Sequence, residues 1–293
     1  MNRLRNLCLV GVAMLSLGSV SSCGETNSSV SAEGSVSSSK EALVIGLECN
    51  YAPFNWAENA ANDYTLPISN HAGQFADGYD VQIAKKLSTI TGRDVTIVQT
   101  LWESLVGDLQ TGSINCIIAG MTDTEERRQA IDFTSEYYRS ELVLVVQKAV
   151  ADSYTDALSS TDFGALISGK MIESQVSTLT DDIIGDVLVG LGAVHNTPVS
   201  TFALAAQDVA SGSAFAMTAE YPVAQAIVAA NSALGILRLD QAILGDSLKS
   251  LGVSIGVKKD SPLKAELTSA LDQISQDERN SLMSAAVTRS SSL

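Results

Sequence analysis

The chain has 293 residues, with 33 Asp and Glu against 18 Lys and Arg, a formal net charge of −15. Recognition of nucleic acid needs a basic footprint for the phosphates, so that class of partner is disfavoured. His71 and His195 are the only histidines, far apart and without ligand spacing, and no phosphate loop or Ser–His–acid set occurs, so nothing points to a metal, a cofactor or a catalytic residue.

Arg3 and Arg5 precede an apolar run over 7–20 that ends in Ser21, Ser22 and Cys23. A charged start, a short apolar stretch and a small-residue cleavage site describe a secretion signal. The run falls well short of the roughly 20 residues that a membrane-spanning helix needs. Val20-Ser21-Ser22-Cys23 resembles the lipobox of bacterial lipoproteins, which implies removal of 1–22 and acylation of Cys23, leaving the chain outside the cytoplasm and anchored by lipid to the cell membrane. The Ser-rich segment 23–41 buries too little apolar surface to offset its ordering entropy and is expected to be a flexible linker. Of the four cysteines, Cys49 and Cys116 remain beyond the leader and the acylation site. Both lie in strand-like runs and read as buried thiols, with a disulfide left open should the strands be neighbours.

Beyond the linker roughly 250 residues remain, enough for two domains. The run 42–49 is rich in branched apolar residues and breaks at Asn50-Tyr51-Ala52-Pro53, which predicts a buried strand feeding a loop or hairpin that continues to about residue 76. Val81, Ile83, Ala84 and Leu87 form a helical face opened by Gly78-Tyr79-Asp80. Strands follow at 95–98 and 114–121, with a helix over 102–109 between them. An apolar strand at 142–146 ends in Gln147-Lys148, and the pattern then starts afresh: helices at 162–167, 180–189 and 202–209, strands at 171–172 and 215–218. A last strand at 251–258 precedes a helical end over 262–285. Alternating strands and helices predict mainly parallel sheets, divided into a first lobe of 42–146 plus 251–293 and a second of 147–250.

The segment Ala119-Gly120-Met121-Thr122-Asp123-Thr124-Glu125-Glu126-Arg127-Arg128 carries the most chemistry. A strand ends in small residues, and Thr122 with Glu125 has the spacing of a capping box. The N–H groups at such a helix start attract anions, and Arg127, one turn in, can grip a carboxylate with two parallel bonds. Together they predict a carboxylate socket.

That socket stands in register with Gly46-Leu47-Glu48-Cys49-Asn50-Tyr51-Ala52-Pro53-Phe54, with Gly78-Tyr79-Asp80-Val81-Gln82-Ile83-Ala84, with Trp102-Glu103-Ser104-Leu105 and with Asp132-Phe133-Thr134-Ser135-Glu136-Tyr137-Tyr138. In this order the motifs resemble the polar amino-acid-binding proteins of ABC importers, the group of lysine/arginine/ornithine-, histidine- and glutamine-binding proteins. The resemblance is dense over 42–148 and thinner beyond. It implies the α/β, two-lobed periplasmic-binding-protein fold, two domains joined by two hinge-crossing strands, acting as a monomer that closes on a free amino acid and passes it to an ABC permease.

It also implies roles. Gly120, Thr122 and Arg127 would hold the ligand's α-carboxylate, helped by Ser177 and Thr178 of the Gln175-Val176-Ser177-Thr178 turn, where Val176 replaces the usual Gly. Glu220 would hold the α-ammonium together with Gly120, and is one methylene longer than the family's Asp. Tyr51 and Trp102 would sandwich the ligand side chain, with Phe54 behind them and Glu48 as a pocket carboxylate. An acid beside aromatic faces suits a flat cation, arginine or lysine; glutamine, histidine and other polar amino acids remain open. Two rival readings use the same fold: a sensor or adhesion lipoprotein, and an enzyme like the periplasmic cyclohexadienyl dehydratases, with Glu48 or Glu220 as its acid.

Overall fold

The computed structural model describes residues 40–154 and 156–291. The leader, the acylation site Cys23 and the linker up to residue 39 lie outside the described residues. β1 (Leu43–Leu47) leads into a small antiparallel sheet of β2 (Asn50–Tyr51), β3 (Asn55–Glu58), β4 (Leu66–Pro67) and β5 (Phe75–Asp77). Then come α1 (Tyr79–Thr91), β6 (Val95–Gln99), a 3₁₀ turn at Trp102–Ser104 running into α2 (Leu105–Thr111), β7 (Cys116–Ile117), α3 (Glu125–Ala130) and β8 (Asp132–Arg139). The chain continues through β9 (Leu142–Gln147), α4 (Lys148–Ala151), α5 (Ser160–Ile167), β10 (Met171–Glu173), α6 (Leu179–Ile183), β11 (Val194–His195), α7 (Phe202–Ser211), β12 (Ala216–Glu220), α8 (Tyr221–Ala230) and β13 (Leu234–Arg238). It ends with β14 (Gly252–Val257), α9 (Leu263–Leu271) and α10 (Gln276–Ser290).

The strands form two five-stranded sheets, in the orders β6-β1-β7-β14-β8 and β11-β10-β12-β9-β13. In each, four strands run in one direction and the fourth in the order, β14 or β9, runs antiparallel between its two neighbours. The result is a two-lobed α/β fold. The chain passes between the sheets twice, after Arg139 and after Arg238. The expected boundary at residue 146 falls inside β9, which pairs with β12 and β13 of the second sheet. Every residue from Leu142 to Val146 is buried there, as suits a strand covered on both faces.

Alternation of apolar and polar residues located most elements but not their ends. β7 is only two residues long, because the chain leaves the ladder at Ile118 to form the loop carrying Gly120. The helix expected over 180–189 widens after Ile183 into a π-helical turn, Ile184–Leu188, and then tightens into a 3₁₀ turn, Val189–Leu191. The final helical stretch is two helices, the second opened by Ser275, whose side chain accepts from the Glu278 N–H. Cys49 and Cys116 are buried free thiols, both pushed up to about 12 chiefly by burial. His195, on the edge strand β11, lies 2.8 Å from the Asp181 carboxylate through Nε2.

Gly78 is the tightest backbone crossing. It has φ of +127°, and a Cβ there would stand 2.2 Å from the Phe54 carbonyl oxygen and 2.7 Å from the Asn55 Cα. Both are main-chain atoms that cannot swing away. Gly78→Ala is therefore expected to lower unfolding free energy by at least about 2 kcal/mol, read as a fall in the urea midpoint. An unchanged midpoint would show that the crossing has room.

Candidate functional site

In α/β sheets ligands collect at the carboxyl ends of the strands, and here the two sheets turn those ends toward one cleft. β1 delivers Glu48, β6 leads to Trp102, and β7 to Gly120 and Thr122. From the second sheet β10 delivers Gln175 and Thr178, and β12 ends on Glu220. All of these line the cleft, with Tyr51 and Phe202, around a narrow space with a free volume of about 20 Å³.

The loop after β7 differs from the expected capping box. α3 begins at Glu125, and its cap is Thr124, whose side chain accepts from the Arg127 N–H at 3.3 Å. Thr122 lies upstream of the helix, bridged to Val253 of β14, so its hydroxyl is free for another task. Arg127 uses it: Nη1 donates to the Thr122 hydroxyl at 2.7 Å and to the Thr122 carbonyl at 2.8 Å. The guanidinium lies over the Trp102 ring, 5.2 Å from its centroid. Burial lowers the Arg127 pKa, but a guanidinium stays charged in any protein environment. No carboxylate among the described residues forms an ion pair with it.

Across the cleft the Ser177 carbonyl accepts from Arg127 Nη2 at 2.9 Å and from Trp102 Nε1 at 3.0 Å. Two donors thus converge on one oxygen. Ser177 has φ of +60°, the left-handed region that non-glycine residues seldom enter. Thr178 next to it caps α6, accepting from the Asp181 N–H and donating its hydroxyl to the Gln175 carbonyl at 2.6 Å.

Gly120 has φ of +62°, and a Cβ there would sit 2.8 Å from Tyr51 Cε1, so only glycine lets Tyr51 lie against this loop. Its N–H donates to the Tyr137 hydroxyl at 2.9 Å, which leaves the carbonyl as the group it can offer. Tyr51 donates its hydroxyl to Glu220 at 2.5 Å. Its ring is stacked between Phe54, at 5.2 Å, and Phe202, at 4.8 Å. The faces of Tyr51 are thereby occupied by protein. Phe54 lies behind it, fully buried. Glu220 is buried too, and burial raises its pKa although the bond from Tyr51 opposes the rise.

Glu48 is 5% exposed and accepts from Gln175 Nε2 at 2.9 Å. Burial pushes its pKa up to about 7, with Glu103 adding to the rise and the Gln175 and Asn50 amides opposing it. The structure therefore gathers Glu48, Tyr51, Trp102, Gly120, Thr122, Thr178 and Glu220 around one space, with Arg127 and Ser177 meeting at its side. Sequence reasoning missed Gln175 and Phe202. Gln175 stood in a turn already singled out, two residues before Ser177. Phe202 was legible as the first residue of a helix, but nothing in the sequence ties it to Tyr51.

Residues 43–285 match the family described as bacterial extracellular solute-binding proteins, family 3. The arginine-binding extracellular protein ArtP of Bacillus subtilis is 26% identical over 163 residues, 56% of this chain and 52% of that protein. A probable histidine-binding protein of Campylobacter jejuni is 27% identical over 140 residues, 48% of this chain and 46% of its own length. The chain thus spans about half the length of the curated relatives it matches. Among solved structures, the amino acid ABC transporter substrate-binding protein AbpA of Streptococcus pneumoniae, bound to L-arginine, superposes with a TM-score of 0.67 at 22% identity, covering 85% of this chain and 95% of that one. A Gly52Ala mutant of arginine-bound ArgBP from T. maritima gives 0.61 at 26% identity over 80% and 95% of the two chains. Fold, cleft and family match agree: the chain belongs to the bacterial extracellular solute-binding proteins, family 3.

Proposed function

We propose that the protein captures a free amino acid between its lobes, arginine or lysine in preference to others, and delivers it to an ABC permease without turning it over. The observation that carries this reading is Arg127, a partly buried guanidinium in no ion pair among the described residues, fixed by Thr122 and Trp102 beside a cleft whose far side ends in Glu220. A cation and an anion held apart across a small space suit the two charges of an α-amino acid. Arg127, Thr122 and the Ser177–Thr178 turn take the carboxylate. Glu220 and the Gly120 carbonyl take the ammonium, and the side chain runs past the Trp102 ring and the edge of Tyr51, whose faces Phe54 and Phe202 already cover, to Glu48.

Charge supports the choice of ligand. When Glu48 and Glu220 are both ionised, their two charges against the one of Arg127 leave the site one net negative charge, which complements the net positive charge of arginine or lysine. The names of the B. subtilis relative and of the arginine-bound structures point the same way. Micromolar affinity needs only about 8 kcal/mol, within reach of charge-assisted hydrogen bonds at roughly 1.5–3 kcal/mol each. The lipobox-like run ending at Cys23 supports attachment of a monomer to the membrane by acyl chains, close to its permease.

A thermal-shift screen of the chain begun after Cys23, against the twenty amino acids plus ornithine and citrulline, tests the reading, since a ligand of the native state raises its stability by mass action. A large shift with arginine or lysine, and ligand recovered unchanged, is expected. A shift with a neutral amino acid alone would overturn the selectivity; no shift, or a consumed ligand, would overturn the receptor reading.

Arg127→Ala is expected to cost about 2–5 kcal/mol of affinity for every amino acid bound, because it leaves the carboxylate buried without its cation. Retained affinity in a calorimetric titration would remove Arg127 from the site. Glu48→Gln is expected to weaken arginine by at least about tenfold, roughly 1.4 kcal/mol, while leaving glutamine nearly unchanged. Equal losses for the two ligands would show that Glu48 does not read charge.

A further inference from the structure

Glu48 meets one amide from each side of the cleft. Gln175 Nε2 reaches Oε1 at 2.9 Å from the second lobe. Asn50, with its amide turned so that the nitrogen faces the carboxylate, donates to Oε1 at 2.9 Å and to Oε2 at 3.1 Å from the same loop as Glu48. The orientation of Gln175 is not free. The same Nε2 donates to the Ser200 carbonyl at 3.0 Å, and a carbonyl can only accept, so the NH₂ group always faces Glu48. The other titratable groups acting on this carboxyl or adjoining it are Glu103 on the 3₁₀ turn, the Cys49 thiol and the Tyr51 hydroxyl. None of them is a cation. A buried carboxylate is thus supported by neutral donors alone, and one of the two arrives only when the lobes meet.

We infer that Gln175 is a specificity-determining residue: by donating to Glu48 across the closed cleft it keeps that carboxyl ionised, and so makes closure favour a cationic ligand side chain over a neutral one. The inference rests on the reading of the cleft as an amino-acid site. A carboxylate offers about four lone-pair positions, and the two amides leave Oε2 the more open oxygen for a ligand donor. Protonated, the same group would present an O–H to the N–H groups of a guanidinium, donor against donor. A neutral amide ligand can accept from that O–H, so it tolerates either state.

The sign of the pH dependence follows. Burial already holds the Glu48 pKa up at about 7 against its amide bonds. A bound cation favours the ionised form, so affinity for arginine falls as pH drops through that value, whereas affinity for glutamine does not depend on Glu48 in this way. The ratio of the two affinities isolates the effect, because Glu220 and Arg127 serve the α-groups that both ligands share.

Calorimetric titration of the secreted chain with arginine and with glutamine, from pH 5.5 to 8.5, tests this. In the wild type the preference for arginine is expected to decline on acidification below about pH 7. Gln175→Met keeps the length of the side chain and removes the donor. It is expected to move the decline upward by about one pH unit and so to lower the ratio of arginine to glutamine affinity at pH 7 about fivefold. Asn50→Ala, at an exposed position, removes the other donor and is expected to act in the same direction, which decides the matter should Gln175→Met fail to fold. A wild-type preference that is flat with pH, or folded variants that keep the wild-type profile, would overturn the role of Gln175 while leaving the receptor reading in place. No binding of either amino acid by the wild type would overturn both.

Discussion

One buried carboxylate fixes the geometry of the first-lobe half of the cleft. Asp80, in the first turn of α1, is 0% exposed and accepts from Asn55 Nδ2 at 2.8 Å and from the Tyr137 hydroxyl at 2.7 Å. Each donor passes the constraint on. Asn55 Oδ1 accepts from the Cys49 N–H at 2.7 Å, and the Tyr137 hydroxyl accepts from the Gly120 N–H at 2.9 Å. Cys49 and Gly120 are both at positive φ, +61° and +62°, in the loops that follow β1 and β7. A single acid therefore ties together the two loops that carry Glu48 and Thr122. Burial pushes Asp80 up to about 8 even against its two hydrogen bonds, and a fully satisfied network of this kind is what keeps such a group in place.

With those loops fixed, the cleft closes through the groups proposed to recognise ligand. Tyr51 bonds Glu220, Gln175 bonds Glu48, and Arg127 and Trp102 share the Ser177 carbonyl. Each contact joins the first sheet's side to the second's. Phe202 adds a stacked ring to Tyr51, and the apolar core runs on without a break from the first sheet into α7 and α8. A ligand must therefore exchange some of these bonds for its own, and affinity is the difference between the two sets rather than the sum of the new contacts.

How much of this the sequence carried depends on the range of the interaction. Local patterning gave the order of the elements, because branched apolar runs and 3.6-residue periodicity act within one element. It gave Glu48, Trp102, Thr122 and Glu220 a place in one site only through motif order, since these residues lie far apart along the chain. What stayed hidden depends on long-range register. The membership of β9 in the second sheet is decided by its pairing with β12 and β13, which no property of 142–147 reveals. The cap at Thr124 in place of Thr122 was equally invisible, as either residue offers a hydroxyl; the bridge from Thr122 to Val253 holds Thr122 in an extended segment and moves the helix start two residues on. The Gln175–Glu48 bond spans 127 positions and appears only with the fold.

The departure at Val176 shows how the strain of the turn is moved. Val176 stands where the family usually has Gly, a residue free to take left-handed backbone angles that Val would reach only under strain. It does not need to. The positive φ falls one residue later, on Ser177, while the Val176 N–H donates to the Val199 carbonyl at 2.9 Å, as an extended residue can. Ser177 in the left-handed region costs of order 1–3 kcal/mol, and its surroundings offset that cost: the turn aims the Ser177 carbonyl at Arg127 and Trp102, and Thr178 is left to cap α6. A Gly at 177 would relieve the strain but would also free the turn to take other conformations. Holding the turn in the one conformation that points this carbonyl across the cleft is a form of preorganisation, and here it is built from a strained serine rather than from a glycine.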